Sequence, residues 1–153
     1  MMESLDDAKE ELKRVDHLIY VSLKYTRTID VFLNAINRMI DAYDAMFTAL
    51  LKQAVENKKL EEVPKSPIER GNQLKELYAE DQQVIDNVEL FFLLRKLHRA
   101  SGQTREQEYR RHVTMRTIID GKEEIVNIDI MTSYYHFQME FFKKVKKIIL
   151  GEE

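Results

Sequence analysis

Hydrophobic positions over the first 56 residues recur at spacings of three and four, with no proline or glycine before residue 64. This spacing is typical of amphipathic helices that turn one face toward a core. The first predicted stripe contains Leu5, Ala8, Leu12, Val15 and Ile19. The second contains Ile29, Phe32, Ile36, Met39, Tyr43, Phe47, Leu50 and Ala54. The pattern predicts two long helices.

The segment between the two stripes, Lys24–Thr28, is polar and contains two threonines. Threonine hydroxyls can cap a helix N-terminus, and an acidic residue such as Asp30 stabilises the first turn. We therefore expect a break at residues 24–28, with one long bent helix as the alternative. Tyr25 and Arg27 make this segment a candidate binding surface, although capping and an Arg27–Asp30 ion pair are the favoured explanation.

Two shorter helices follow a loop at residues 57–65. Ser66-Pro67-Ile68-Glu69 combines an N-cap serine, a proline at the first helical position and a capping-box glutamate. That helix should reach about Tyr78. The next should cover roughly Asp81–Ala100 and end at Ser101-Gly102. Its predicted inward residues are Val84, Val88, Phe91, Leu94 and Leu97.

The period changes between Val113 and Ile130, where β-branched residues flank Asp120-Gly121. An Asp-Gly step between such arms predicts a β-hairpin. An aromatic-rich helix should follow over Thr132–Leu150. The fold class is therefore mainly α: about five helices in an antiparallel bundle, with one β-hairpin at about 113–130 before the C-terminal helix. Residues 1–153 form a single helical domain.

Composition narrows the class of protein. The charged fraction, 33%, exceeds the globular average of about 25%. There is no cysteine, which excludes disulfides, thiolate metal sites and cysteine nucleophiles. The acidic N-terminus does not resemble a signal peptide, and no apolar run approaches the ~20 residues of a membrane span. We expect a cytoplasmic protein without membrane contact.

Several common sites have no support in the sequence. The four glycines are isolated, so there is no glycine-rich phosphate loop, and no histidine has the Glu-x-x-His spacing of helical di-iron sites. Asp41 and Asp44 are spaced to share a helix face and could ligate magnesium. A solvated helix face is the favoured interpretation, and we expect neither a metal nor another cofactor.

Basic residues are concentrated between Arg95 and Lys122, although the chain carries a net charge of −3. Arginine binds phosphate through a bidentate fork, and tyrosine stacks on bases. This stretch therefore indicates RNA or another phosphate-bearing ligand, unless its arginines pair with acidic residues of the N-terminal helices. The candidate binding residues are Arg95, Arg99, Tyr109, Arg110, Arg111 and Arg116, together with Tyr25 and Arg27.

Arg105 and His112 are candidate catalytic residues within the same stretch. Histidine can act as general acid or base in RNA cleavage, and arginine can stabilise the charged transition state. The alternative is structural, with His112 opening the first hairpin strand and its ring in a hydrogen bond.

The segment Ala42-Tyr43-Asp44-Ala45-Met46-Phe47-Thr48-Ala49 resembles a helix of the HEPN family. These are small helical bundles, often dimeric, that are linked to nucleotidyltransferases or act as RNases. The family's RNase motif separates an arginine from a histidine by four to six residues. Arg105 and His112 match it with six intervening residues. Glu106 departs from the asparagine, aspartate or histidine that usually follows the arginine, and the hairpin is an addition.

The chain is also similar to a set of small uncharacterised archaeal proteins. The similar segments are Lys24–Thr28, Arg110–Met115 and Asp120–Glu123. The resemblance implies an archaeal, cytoplasmic protein and brings no activity.

Three functions follow from these patterns. The leading hypothesis is a non-enzymatic binding or interaction module, RNA- or nucleotide-associated and homo-oligomeric. The first alternative is a HEPN-type RNase that uses Arg105 and His112. The second alternative is a purely structural protein-interaction partner.

Overall fold

The computed structural model describes residues 1–100 and 103–151 and confirms a mainly α fold. Helix α1 has an α-helical part (Met2–His17), a π-helical part (Leu18–Ser22) and a final turn (Leu23–Tyr25). The remaining elements, in chain order, are α2 (Ile29–Glu56), α3 (Pro67–Leu77), α4 (Gln82–Arg99), β1 (Thr104–Glu106), β2 (Thr114–Ile119), β3 (Lys122–Asn127) and α5 (Ile128–Leu150). The predicted closure of α4 at Ser101-Gly102 lies outside the described residues.

The predicted break between α1 and α2 is confirmed. Thr26 is extended, and Thr28 caps α2 because its hydroxyl accepts a hydrogen bond from the Val31 N–H at 3.3 Å. The predicted Ser66 cap also forms, and Asp81 supplies a further cap that was not among those predicted. Ser66 accepts from the Glu69 N–H at the start of α3, and Asp81 accepts from the Val84 N–H at the start of α4. Local side-chain chemistry therefore sets where each of these helices begins.

Helix α2 lies at the centre and packs against the other four helices, α1, α3, α4 and α5. Helices α1 and α2 run antiparallel, since Lys52 bonds Ser4 and Arg38 bonds Glu11. Helix α5 runs parallel to α2, because Gln138 donates to the Met39 carbonyl and, further along both helices, Gln53 donates to the Ile148 carbonyl. The ends of α1 and α4 and the starts of α2 and α5 therefore lie at one end of the bundle. The sheet covers that end.

An aromatic cluster fills the core between α2, α4 and α5. Tyr43, Phe47, Phe91 and Phe141 are fully buried, and the Phe47 and Phe91 rings meet edge to face at 5.0 Å. The Tyr43 hydroxyl donates to Asn87 Oδ1 at 2.5 Å, so its polar group is satisfied within the core. Burial raises the pKa of Tyr43 well above its ordinary value. These contacts fix the position of α4 along the axis of α2.

The sheet differs from the predicted hairpin in two ways. The Asp120-Gly121 turn forms, with both residues at positive φ (52° and 79°), and it pairs β2 with β3. A third strand, β1, pairs antiparallel with β2 on its other edge. The second hairpin arm ends at Asn127, not Ile130. Asn127 caps α5 by accepting from the Ile130 N–H at 2.8 Å, so Ile128–Ile130 are helical.

No helix within residues 1–100 and 103–151 is both long enough and apolar enough to cross a membrane.

Candidate functional site

The loop at residues 107–113, between β1 and β2, lies against the junction of α1 and α2. The Tyr109 N–H donates to the Arg27 carbonyl at 2.6 Å. Two turns shape the loop, from the Arg110 N–H to the Gln107 carbonyl and from the Val113 N–H to the Arg110 carbonyl, both at 3.1 Å. Val113 is fully buried and anchors the end of the loop. Two basic segments far apart in sequence thus become neighbours.

Glu108 fixes this loop to the start of α2. Its Oε2 accepts a hydrogen bond from the Ile29 N–H at 3.0 Å, while the Thr28 hydroxyl accepts from the Val31 N–H in the same turn. Ile29 is completely buried, so its N–H depends on Glu108 for a partner. A negative carboxylate at a helix N-terminus is further stabilised by the helix dipole. The loop therefore completes the N-terminal cap of α2.

The loop backbone is strained at two residues. Gln107 and Tyr109 have positive φ values of 54° and 69°. A bulky residue such as tyrosine rarely adopts this left-handed conformation, which costs of the order of 1–3 kcal/mol. Yet the Tyr109 side chain is 75% exposed and contributes nothing to the core. A strained, exposed tyrosine indicates a role for the ring outside the fold.

Two of the predicted site arginines are paired. Arg105 contacts Asp30 at 3.1 Å and Glu108 at 3.8 Å, which ties β1 to the start of α2. Arg116 lies in the middle strand and bonds Glu106 on β1 and Glu123 on β3, each at 2.9 Å. The hydrogen bond with Glu106 raises the pKa of Arg116 above its ordinary value. Both arginines therefore brace the sheet.

Three other arginines of the predicted site have no acidic partner in the part of the chain that the structure describes. Within the described residues, no ion pair reaches Arg27, Arg110 or Arg111. Arg110 and Arg111 are exposed, and Tyr25 is 77% exposed. We call the residues Tyr25, Arg27, Tyr109, Arg110 and Arg111 the tyrosine–arginine surface. The Tyr109–Arg27 backbone hydrogen bond brings its two segments together.

His112 follows this surface and is exposed. Its carbonyl accepts from the Thr114 hydroxyl at 2.8 Å, and strand β2 begins two residues later. Among the described residues, the His112 ring makes no hydrogen bond, to Arg105 or to any other residue. The structure thus places both members of the predicted catalytic pair near the loop, with Arg105 held by carboxylates.

Arg95 and Arg99 lie elsewhere, on the last two turns of α4. Arg95 is close enough to Asp44, Arg70 and Arg99 for their charges to affect its pKa. The neighbouring Lys96 pairs with Asp120 in the β2–β3 turn, so this part of α4 also borders the sheet. Among the described residues, no hydrogen bond or ion pair joins Arg95 or Arg99 to Tyr25, Arg27 or the loop at residues 107–113.

The acidic pair Asp41 and Asp44 faces solvent and neighbouring arginines. Asp44 pairs with Arg70 at 2.8 Å, and Asp41 lies 3.9 Å from Arg38. Burial and the nearby Glu11 raise the pKa of Asp41. No group of three or more histidine, aspartate or glutamate side chains in the described part of the chain is arranged to hold a metal ion.

Glu108 and Asp30 shape the site, but no pattern in the sequence indicates either role. The Arg27–Asp30 ion pair considered from the sequence is replaced by the Arg105–Asp30 pair, which joins residues 75 positions apart. A glutamate within a mixed-charge stretch carries no signal that it will cap a helix 79 positions earlier.

Comparison with known proteins gives no further information about this site, because no family model, curated protein or solved structure matches the chain significantly.

Proposed function

We propose that the chain is a non-enzymatic binding module that holds single-stranded RNA on the tyrosine–arginine surface. One observation carries the proposal: the Tyr109–Arg27 backbone contact joins two exposed tyrosines to three arginines without acidic partners among the described residues. Exposed aromatic rings stack on unpaired bases, and free guanidinium groups bind phosphates. Bases are available for such stacking in single strands, not within a duplex.

The loop conformation supports the same ligand. Its turns, the buried Val113 and the Glu108 cap hold the backbone of Tyr109 in place before any ligand arrives. A preformed surface loses less conformational entropy on binding than a mobile loop does. A ring that binds a ligand would explain why the strained backbone conformation of Tyr109 is present.

The test is the salt dependence of RNA affinity. A fluorescently labelled single-stranded RNA of about 12 nucleotides is titrated by anisotropy at several salt concentrations. For single strands the slope of log Kobs against log[salt] is about −0.7 per phosphate contact. Three arginine contacts therefore predict a slope of about −2. A flat dependence, or equal affinity for duplex RNA of the same sequence, would contradict the proposal.

The HEPN-type RNase with Arg105 and His112 stays a prediction. Its test is cleavage of the same RNA by the wild type and by His112→Ala. Because Arg105 already contacts Asp30 and Glu108, it would have to leave both carboxylates to reach a phosphate.

The expected homo-oligomer also stays a prediction, and so does a purely structural role in protein interaction. Exposed apolar side chains are available for either, including Tyr20, Val21 and Phe137. Sedimentation velocity over a range of concentrations measures self-association. A dimer that binds no RNA at low salt would favour the structural role over RNA binding.

A further inference from the structure

One arginine of α4 has a buried donor without a partner. The Nε of Arg95 is shielded from solvent, and no acceptor in the described part of the chain bonds it. Buried donors in folded proteins are nearly always satisfied, so an orphan of this kind calls for a water or an ion. Because the group is a guanidinium, an anion satisfies its hydrogen-bonding and its charge together.

The aromatic core holds Arg95 in place. Its guanidinium carbon lies 5.7 Å from the centre of the Phe91 ring. Phe91 is fully buried and packs edge to face against Phe47 and Tyr43. A guanidinium over such a ring gains a cation–π interaction and loses freedom of movement. Arg95 is therefore positioned in advance for a ligand.

Asp44, the carboxylate whose charge raises the pKa of Arg95, is committed elsewhere. Asp44 accepts from Arg70, at 2.9 Å from Nε and 2.8 Å from a terminal nitrogen. Arg70 also donates to the carbonyls of Pro64 and Lys65, which fixes it across the start of α3. Asp44 and these two carbonyls therefore accept from Arg70, and none of them accepts from Arg95.

Like charges surround Arg95. Arg99 lies one helical turn further along α4 and is exposed. Burial lowers the pKa of Arg95, Arg99 and Arg70 lower it further, and Asp44 opposes the shift. Of the groups that act on the pKa of Arg95, two are guanidinium groups and one is the committed Asp44 carboxylate, so an anion would relieve the repulsion between Arg95 and its arginine neighbours.

We propose that Arg95 and Arg99 form a binding site for one phosphate group, separate from the tyrosine–arginine surface. Two guanidinium forks a helical turn apart can bond different oxygens of one phosphate. The ligand is inorganic phosphate or the terminal phosphate of a nucleotide, which present the same dianion. No hydrogen bond or ion pair among the described residues joins Arg95 or Arg99 to that surface, so variants can test the two sites separately.

The experiment measures phosphate binding to the full chain at constant ionic strength. The thermal midpoint is followed while inorganic phosphate, or in a second series uridine 5′-monophosphate, replaces chloride. The wild type should gain a phosphate-specific rise in midpoint. Arg95→Met/Arg99→Met should weaken it at least tenfold, since methionine retains apolar contact with Phe91. The more tightly bound of the two ligands identifies the source of the phosphate.

Two further variants keep the result decisive. Arg99→Gln changes an exposed side chain without disturbing the core, and it should also weaken phosphate binding. Arg110→Gln/Arg111→Gln should leave the phosphate response unchanged while RNA affinity falls. The proposal is overturned if the wild type responds equally to phosphate and chloride. It is also overturned if the response survives in Arg95→Met/Arg99→Met or is lost in Arg110→Gln/Arg111→Gln.

Discussion

Arg105 and Arg116 differ from Arg110 and Arg111 in their partners, although all four lie within 12 residues of sequence. Arg105 and Arg116 each contact two carboxylates, on α2, the loop and the neighbouring strands. Arg110 and Arg111 are exposed and have no acidic partner among the described residues. A cluster of arginines in sequence is therefore two populations in space: one braces the sheet and the other faces solvent.

The difference follows from where each residue falls in the local structure. Strand residues lie opposite fixed neighbours, and a strand arginine readily finds a cross-strand carboxylate. Loop residues 110 and 111 have no such neighbours, because Glu108, the nearest acid in the loop, bonds the Ile29 N–H and Arg105. The acid that could have neutralised the loop instead caps a helix. This leaves the loop positive.

The largest effect should come from Glu108→Ala. The substitution leaves the buried Ile29 N–H without a partner, which costs about 1–3 kcal/mol of stability. It also releases the loop, so RNA affinity should fall although no arginine is removed. Chemical denaturation and anisotropy measure the two effects.

Glu106→Ala is the matched control, two residues earlier on β1. Arg116 retains Glu123 when Glu106 is lost, so the denaturation midpoint should hardly move and RNA affinity should stay unchanged. Equal destabilisation by both variants would show that Glu108 has no special role in joining the loop to α2.

Tyr109→Gly separates stacking from folding. Stacking of a base on an aromatic side chain contributes about 1–3 kcal/mol, so RNA affinity should fall roughly 5- to 150-fold. Stability should be unchanged or higher, because glycine adopts a φ of +69° without strain. The salt slope should stay the same, since no charge is removed. A loss of stability with unchanged affinity would mean that the ring serves the fold.

A smaller change in stability is expected at the opposite end of the bundle, where a paired lysine can be compared with one that has no ion pair in the described part of the chain. Lys144 pairs with Asp81, the N-cap of α4. Burial alone would raise the pKa of Asp81, but hydrogen bonds from Lys144 and the Val84 N–H outweigh it and lower the pKa below 3.8. The pair therefore stabilises the fold above that pH, and its contribution is lost as the pH falls through the lowered value.

Lys144→Met should reduce stability by less than about 1 kcal/mol near neutral pH, as expected for a partly exposed pair. The difference from wild type should stay constant down to about pH 4 and shrink below it. Lys146→Met, which removes an exposed lysine, should show no such pH dependence. Denaturation at several pH values measures both variants, and identical profiles would contradict the assignment.

Local signals predicted most of the fold. Thr28 and Ser66 cap their helices as expected, since a cap needs only the residue and the turn that follows it. Strand β1 has three residues, too few to show alternation. Ile128–Ile130 were misread because β-branched residues favour strands, although the Asn127 cap and Asp129 in the first turn favour a helix. The π-helical turn of α1 has no sequence signal that we recognise.

The candidate site was predicted less completely, for a physical reason. The sequence locates arginines but not the carboxylates that reach them. The partner of Arg105 is 75 positions away, and the donor to Glu108 is 79 positions away. Such pairings depend on how the sheet docks on the bundle, which residue type alone does not determine. These pairings set Arg105 and Arg116 apart from the other candidates, of which Tyr25, Tyr109, Arg110 and Arg111 are exposed and Arg27 is half-buried.

The most direct test compares the salt dependence of RNA affinity in two charge-matched variants, Arg110→Gln/Arg111→Gln and Arg105→Gln/Arg116→Gln. Each removes two guanidinium groups and the same net charge. The first should flatten the slope of log Kobs against log[salt] by about 1.4, which corresponds to two lost phosphate contacts on a single strand. The second should keep the wild-type slope. Equal slopes in the two variants would show that net charge, rather than unpaired loop arginines, governs binding.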